Sequence, residues 1–229
     1  MKRIITFSFA ILIALTVSAQ KTATKFLGIP VDGTKSAMIQ KLKAKGFTYY
    51  AKDEMMAGEF NGRKVNLKIV TNNNKVYRIM VLDAVGSDEW EIKNRFNTLC
   101  RQFEKNGKYM PQNFMGEYNI GEDVNIAYEM LLNNKRFEAA YFQLAEADQD
   151  TIGLSNWWKN RFSDNNVLEK MEKMSEEEIK ELNTQLTIEY LTEKIAHRSV
   201  WFMITQDYGK YYIAIFYDNE LNHADGEDL

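Results

Sequence analysis

Apolar and polar residues alternate over Lys64 to Thr71, where Val65, Leu67 and Ile69 fall between Asn66 and Lys68. That is the period of a strand with one buried face. Ahead of it, Glu54 to Phe60 runs into Asn61-Gly62, the strongest short hairpin signal because both residues tolerate positive φ. Beyond it, Asn72-Asn73-Asn74 turns the chain back as Lys75 to Asp83. The period becomes helical on either side of this meander. Thr34 or Ser36 caps a helix to about Lys45 with Met38, Ile39 and Leu42 inward, and Gly46 closes it. Ser87 to Asn106 reads as a second helix whose stripe is Trp90, Phe96, Leu99, Cys100 and Phe103. Phe26 to Pro30 is a short extended start that ends in the turn Val31-Asp32-Gly33.

The second half is less regular. A helix is predicted from about Gly121 to Asn133 with Val124, Ala127, Tyr128 and Leu131 on one face, and a strand from Phe137 to Leu144. Glu146 to Asn166 is polar around an aromatic knot, Trp157-Trp158-Lys159-Asn160-Arg161-Phe162. Ser175-Glu176-Glu177-Glu178 has the form of a capping box. Ile179, Leu182, Leu186, Tyr190 and Ile195 then follow at helical spacings, while Leu186, Ile188 and Tyr190 also alternate, so residues 186–191 are open to helix or strand. Ser199 to Thr205 and Tyr211 to Tyr217 form a hairpin about Asp207-Tyr208-Gly209-Lys210, a central or edge ribbon of a second sheet. Apolar residues at both parities of Tyr211 to Tyr217 predict a strand covered by helices on both faces. Adjacent strands with helices between the runs indicate an α+β fold, with antiparallel sheet or sheets and packed helices. Two related helix-plus-meander units are compatible with that order: residues 20–109, and a second α+β unit, 110–229, packed on the first.

The start of the chain changes where the protein is expected to act. Lys2 and Arg3 precede an apolar or small run from Ile4 to Val17, and Val17-Ser18-Ala19 supplies small residues at a cleavage site. This predicts a cleavable signal peptide over 1–19 and a periplasmic or secreted protein. The run is too short to span a bilayer, which takes about 20 residues, and no cysteine near the cut suits a lipid anchor. Composition is that of a globular protein, 45% hydrophobic and 27% charged. Without Lys2 and Arg3, 27 basic residues stand against 32 acidic ones, a balance that argues against nucleic-acid binding. Cys100 is the only cysteine, so no intrachain disulfide forms, and its apolar surroundings suggest a buried, inert thiol.

Phe26-Leu27-Gly28-Ile29-Pro30-Val31-Asp32-Gly33-Thr34, the helix end Gly46-Phe47, and Gly58-Glu59-Phe60-Asn61-Gly62 together form a recognisable phrase over residues 26–109. It resembles a group of uncharacterised secreted bacterial proteins. Their helix-then-meander unit is similar to the β-lactamase-inhibitor-protein type of repeat, shared in outline with small outer-membrane-assembly lipoproteins. The resemblance implies a fold and a binding role. It carries over no functional residue, because its motifs are a turn, a cap and a hairpin. The chain departs from it in lacking a lipid-attachment cysteine and the pair of cysteines in each unit.

Catalytic and metal chemistry find little purchase. His197 and His223 stand in no HExxH or CxxC arrangement with Cys100. The oxygen-rich tail (Asp218, Asn222, Asp225, Glu227, Asp228) lacks EF-hand spacing. Gly-x-Ser-x-Gly and phosphate-loop motifs are absent. No cofactor or metal is expected. The sequence points instead to a non-enzymatic binding protein that recognises a protein or cell-envelope component, with Trp157, Trp158 and Arg161 as anchors. The plainer alternative for the tryptophans is that one packs in the core under the other. A glycan-binding or glycan-hydrolysing accessory is the alternative function, since indoles also stack on sugars.

Overall fold

A strand that alternates and a turn that accepts positive φ together dictate a hairpin, and the first meander is built that way. The structure is a computed structural model, and it describes residues 22–113, 117–145, 157 and 174–224. A small hairpin, β1 (Lys25–Phe26) and β2 (Ile29–Pro30), leads into helix α1 (Lys35–Lys43). The Thr34 side chain caps that helix by accepting the Ala37 N–H, and Gly46 at φ +94° turns the chain out of it. Strands β3 (Thr48–Tyr50), β4 (Met55–Phe60), β5 (Arg63–Asn72) and β6 (Lys75–Asp83) follow as a meander. Asn61 and Gly62 both have positive φ at the β4–β5 turn, and Asn73 and Asn74 do at the next.

Helix α2 (Glu89–Lys105) starts from a full capping box between Asp88 and Glu91. After it come β7 (Tyr109–Pro111), the short helix α3 (Ile126–Leu132), β8 (Glu138–Gln143), helix α4 (Glu176–Ile195) and the ribbon β9 (Arg198–Asp207) and β10 (Lys210–Asn219). A 3-10 turn, Glu220–Asn222, ends the described chain. The capping box at Ser175 and Glu178 resolves the ambiguity of residues 186–191 in favour of helix. Thr184 and Thr187, which disfavour helix by their branching, return their hydroxyls to the carbonyls of Lys180 and Asn183.

Beside the β1–β2 pair, the eight other strands form one antiparallel sheet in the order β3-β4-β5-β6-β10-β9-β8-β7, not two sheets as the ribbon suggested. The first half is α1 followed by four strands, the second is α2 followed by four strands with α3 and α4 inserted among them, and the last strands of the halves meet, with Leu82 opposite Ala214 and Arg78 opposite Asp218. Pairing β6 with β10 removes two edges at once, each of which would otherwise expose a row of unpaired backbone groups.

Helices α1 and α2 cover one face. Beneath them Val65, Leu67, Ile79, Val81, Val200, Phe202, Ile213 and Ile215 are all but fully buried. Phe202 lies 5.1 Å from the Phe96 ring and 5.5 Å from that of Phe103, distances at which aromatic pairs add to burial. Three expectations are corrected. Trp90 is not on the buried stripe of α2 but 73% exposed, since Ile92, Arg95, Phe96, Leu99, Cys100 and Phe103 fill the inward arc. The helix expected from Gly121 is only seven residues long, buries Ile126, and leaves Tyr128 and Leu131 exposed. Strand β10 is not enclosed by helices on both faces, because Tyr212 and Phe216 on the face away from α1 and α2 remain half-exposed. Among the described residues no helix is long and apolar enough to cross a membrane.

Candidate functional site

Of the three sequence-predicted anchors, Trp157 is described and Trp158 and Arg161 lie outside the described residues, as do the signal segment 1–19 and the end of the acidic tail. Trp157 sits half-buried against α4, its Nε1 donating to Glu193 Oε2 at 3.0 Å and its ring 5.7 Å from that of Tyr190. The indole is thus committed on one edge and one side to α4.

A second aromatic site is assembled by strand register on the sheet face away from α1 and α2. Successive pairings bring Tyr50 opposite Met55, Met55 opposite Lys68, Lys68 opposite Met80, Met80 opposite Phe216, Phe216 opposite Trp201, and Trp201 opposite Ala140. Seven strands each contribute one residue, so the row is roughly 29 Å long at the ~4.8 Å strand spacing. Every member is at least partly exposed. A parallel row places Leu82, Ala214 and Met203 side by side. Antiparallel sheets with one free face ordinarily present polar residues there. This face presents methionines and aromatics among its polar residues, which include Asn66, Lys68 and Glu138.

Besides exposed Lys68 and Glu138, the face carries a partly buried ion pair at one place. Arg78 donates Nε to Asp218 Oδ1 at 2.6 Å and Nη2 to Oδ2 at 2.7 Å, and Trp201 Nε1 donates to the same Oδ2 at 2.8 Å. The indole of Trp201 stacks on Phe216 with centroids 4.0 Å apart and planes 17° from parallel. The guanidinium lies 5.1 Å from the Phe216 centroid and 5.7 Å from that of Trp201. Its bond to Asp218 raises the Arg78 pKa further above its ordinary value, so the charge persists at any working pH. The Asp218 carboxylate is therefore an organising acceptor: it holds a cation and an indole in fixed positions among the aromatic and methionine side chains around it.

The sequence offered a signal for this site in the double-sided apolar pattern of β6, β9 and β10, broken by Arg78 and Asp218. Burial between helices accounts for the same pattern locally, and only the sheet order separates the two.

His197 Nε2 is 2.9 Å from the Thr22 carbonyl and so carries the ring proton toward it. Among the described residues no three His, Cys, Asp or Glu side chains gather as metal ligands. Burial pushes the Cys100 thiol up to about 12, and the neighbouring Tyr141 hydroxyl offsets only part of that. Cys100 is therefore expected not to react with a disulfide reagent at pH 8 in the native protein. It should react readily in urea, where a free thiol of pKa near ~8.5 is partly ionised. A native rate close to the unfolded one would show that α2 lifts away from the sheet.

Comparison with protein-family models, with curated proteins and with solved structures finds no match. The chemistry of the face is thus the guide to function.

Proposed function

We propose that this protein is a periplasmic or secreted, non-enzymatic binding protein that recognises a protein or cell-envelope component through the sheet face away from α1 and α2. The observation that carries this is the row of mainly apolar residues from Tyr50 to Ala140, interrupted by Lys68 and at least partly exposed throughout, beside the Arg78–Asp218–Trp201 cluster. A soluble monomer seldom leaves so extended an apolar surface uncovered. Tryptophan, methionine and arginine are also the residues enriched where partners meet. The basic, apolar and small-residue pattern of residues 1–19 supports export. The order of α1 and four strands, echoed from α2 to β10 with α3 and α4 inserted, supports the likeness to the helix-plus-meander repeat. A sugar-stacking role suits Trp201 less well, because one face of its indole is taken up by Phe216.

The test uses the protein carrying a photocrosslinking residue at Met80, on the face, or at Lys41, on α1, and envelope extract as the source of partners. A protein crosslinked from position 80 and not from position 41 is expected. Trp201→Ala should weaken its capture about thirtyfold or more, as truncation of a central anchor does. Equal crosslinking from both positions, or none from position 80, would remove the face from the function. Capture of polysaccharide alone would favour the glycan-binding alternative.

A further inference from the structure

On the opposite side of the molecule lies a cleft of about 1280 Å³, between the C-terminal half of α2, the β1–β2 hairpin, the β4–β5 turn and the start of β7. Ordinary small-ligand sites occupy ~300–1,000 Å³, so there is room for an elongated molecule. Its apolar lining comes from Phe60, Leu99, Phe103 and Ile215. Polar groups deeper in are engaged already. Gln143 donates to the Lys25 carbonyl at 2.9 Å and lies 3.3 Å from the Tyr109 hydroxyl, and buried Arg198 donates to the Gln143 carbonyl.

The rim differs in kind. Lys25 and Lys108 line the cleft and are exposed, and neither forms an ion pair among the described residues. Glu59 is the single acidic residue among the described residues of the lining. An apolar trough with two ammonium groups at its edge complements a molecule with an extended apolar body and one negative end. The geometry points to a binding site for a single-chain amphiphilic anion in this cleft, separate from the sheet face.

The probe is dodecanoate carrying a photoreactive diazirine in its chain, used below its micelle concentration, with the matching uncharged dodecanol as control. The expected result is saturable labelling of one dodecanoate per chain, mapped by mass spectrometry to peptides within residues 22–28 and 99–110. Dodecanol should label these peptides more weakly. Lys25→Gln/Lys108→Gln should weaken dodecanoate labelling about fivefold, the size expected on losing two partly screened ion pairs. The loss should be mimicked by raised salt in the unaltered protein. Trp201→Ala, on the other face, should leave it unchanged. Labelling confined to other peptides would overturn the proposal, as would equal labelling by dodecanol or indifference to the double substitution.

Discussion

Asp83→Ala is expected to destabilise the protein by about 3–5 kcal/mol, the cost of leaving one member of a buried ion pair alone. The Asp83 side chain is 2% exposed and that of Arg95 7%. The carboxylate accepts Arg95 Nη2 at 2.6 Å and Nε at 2.7 Å, and also the Ile213 N–H at 3.2 Å. It therefore fastens α2 to two neighbouring strands, β6 and β10, at the junction of the two halves. Alanine would strand a guanidinium and a backbone donor in a region that water does not reach. Asp83→Leu/Arg95→Met removes both charges and should regain most of the loss, because a buried pair adds little over well-packed apolar residues. Urea denaturation monitored by circular dichroism measures both. A loss below about 1 kcal/mol for Asp83→Ala would be that of a solvated pair, and would mean that α2 does not seal this part of the sheet.

Asp218→Ala tests the link between stability and the sheet face. Its side chain is 3% exposed, whereas that of Arg78 is 26% exposed, so a released guanidinium regains part of its hydration. The expected cost is correspondingly smaller, about 2–3 kcal/mol. The larger consequence is positional. Without the carboxylate neither the Trp201 indole nor Arg78 has its acceptor, and the Trp201–Phe216 stack loses the bond that orients it. Asp218→Asn keeps one acceptor oxygen for the indole and loses the charge, so its effect should be intermediate in both respects. Capture of the partner crosslinked from position 80 should fall in the same order, alanine below asparagine below aspartate, at a temperature where all three are folded. Unchanged capture by folded Asp218→Ala would remove the cluster from the binding surface while leaving the apolar row to be tested by Trp201→Ala.

The elements recognised from sequence are those whose causes are local. Asn61-Gly62 makes its turn through two positive φ values, Thr34 and Ser175 cap helices with their own hydroxyls, and Val65, Leu67 and Ile69 face one way because a strand has a period of two. Where the local pattern served two structures equally, it misled. The run from Val124 to Leu131 has helical spacing, yet only Ile126 is fully buried, with Val124 and Met130 packed against the core at its margin, and α3 stays short. Trp90 matches the hydrophobicity of the α2 stripe but sits at the wrong angle, on the outer side of the first turn.

The candidate site depended wholly on such non-local choices. By itself the sequence determined the α+β class, the antiparallel meander, the main helices and the ribbon of β9 and β10, since each rests on contacts within a few residues of the chain. Only the tertiary structure decided that β6 pairs with β10 across more than a hundred residues, and that both helices fall on one side of the resulting sheet. A strand apolar on both faces is consistent with burial twice over or with one face left for a partner. Which of these holds is set by the strands and helices placed beside it, and no pattern within β10 records them.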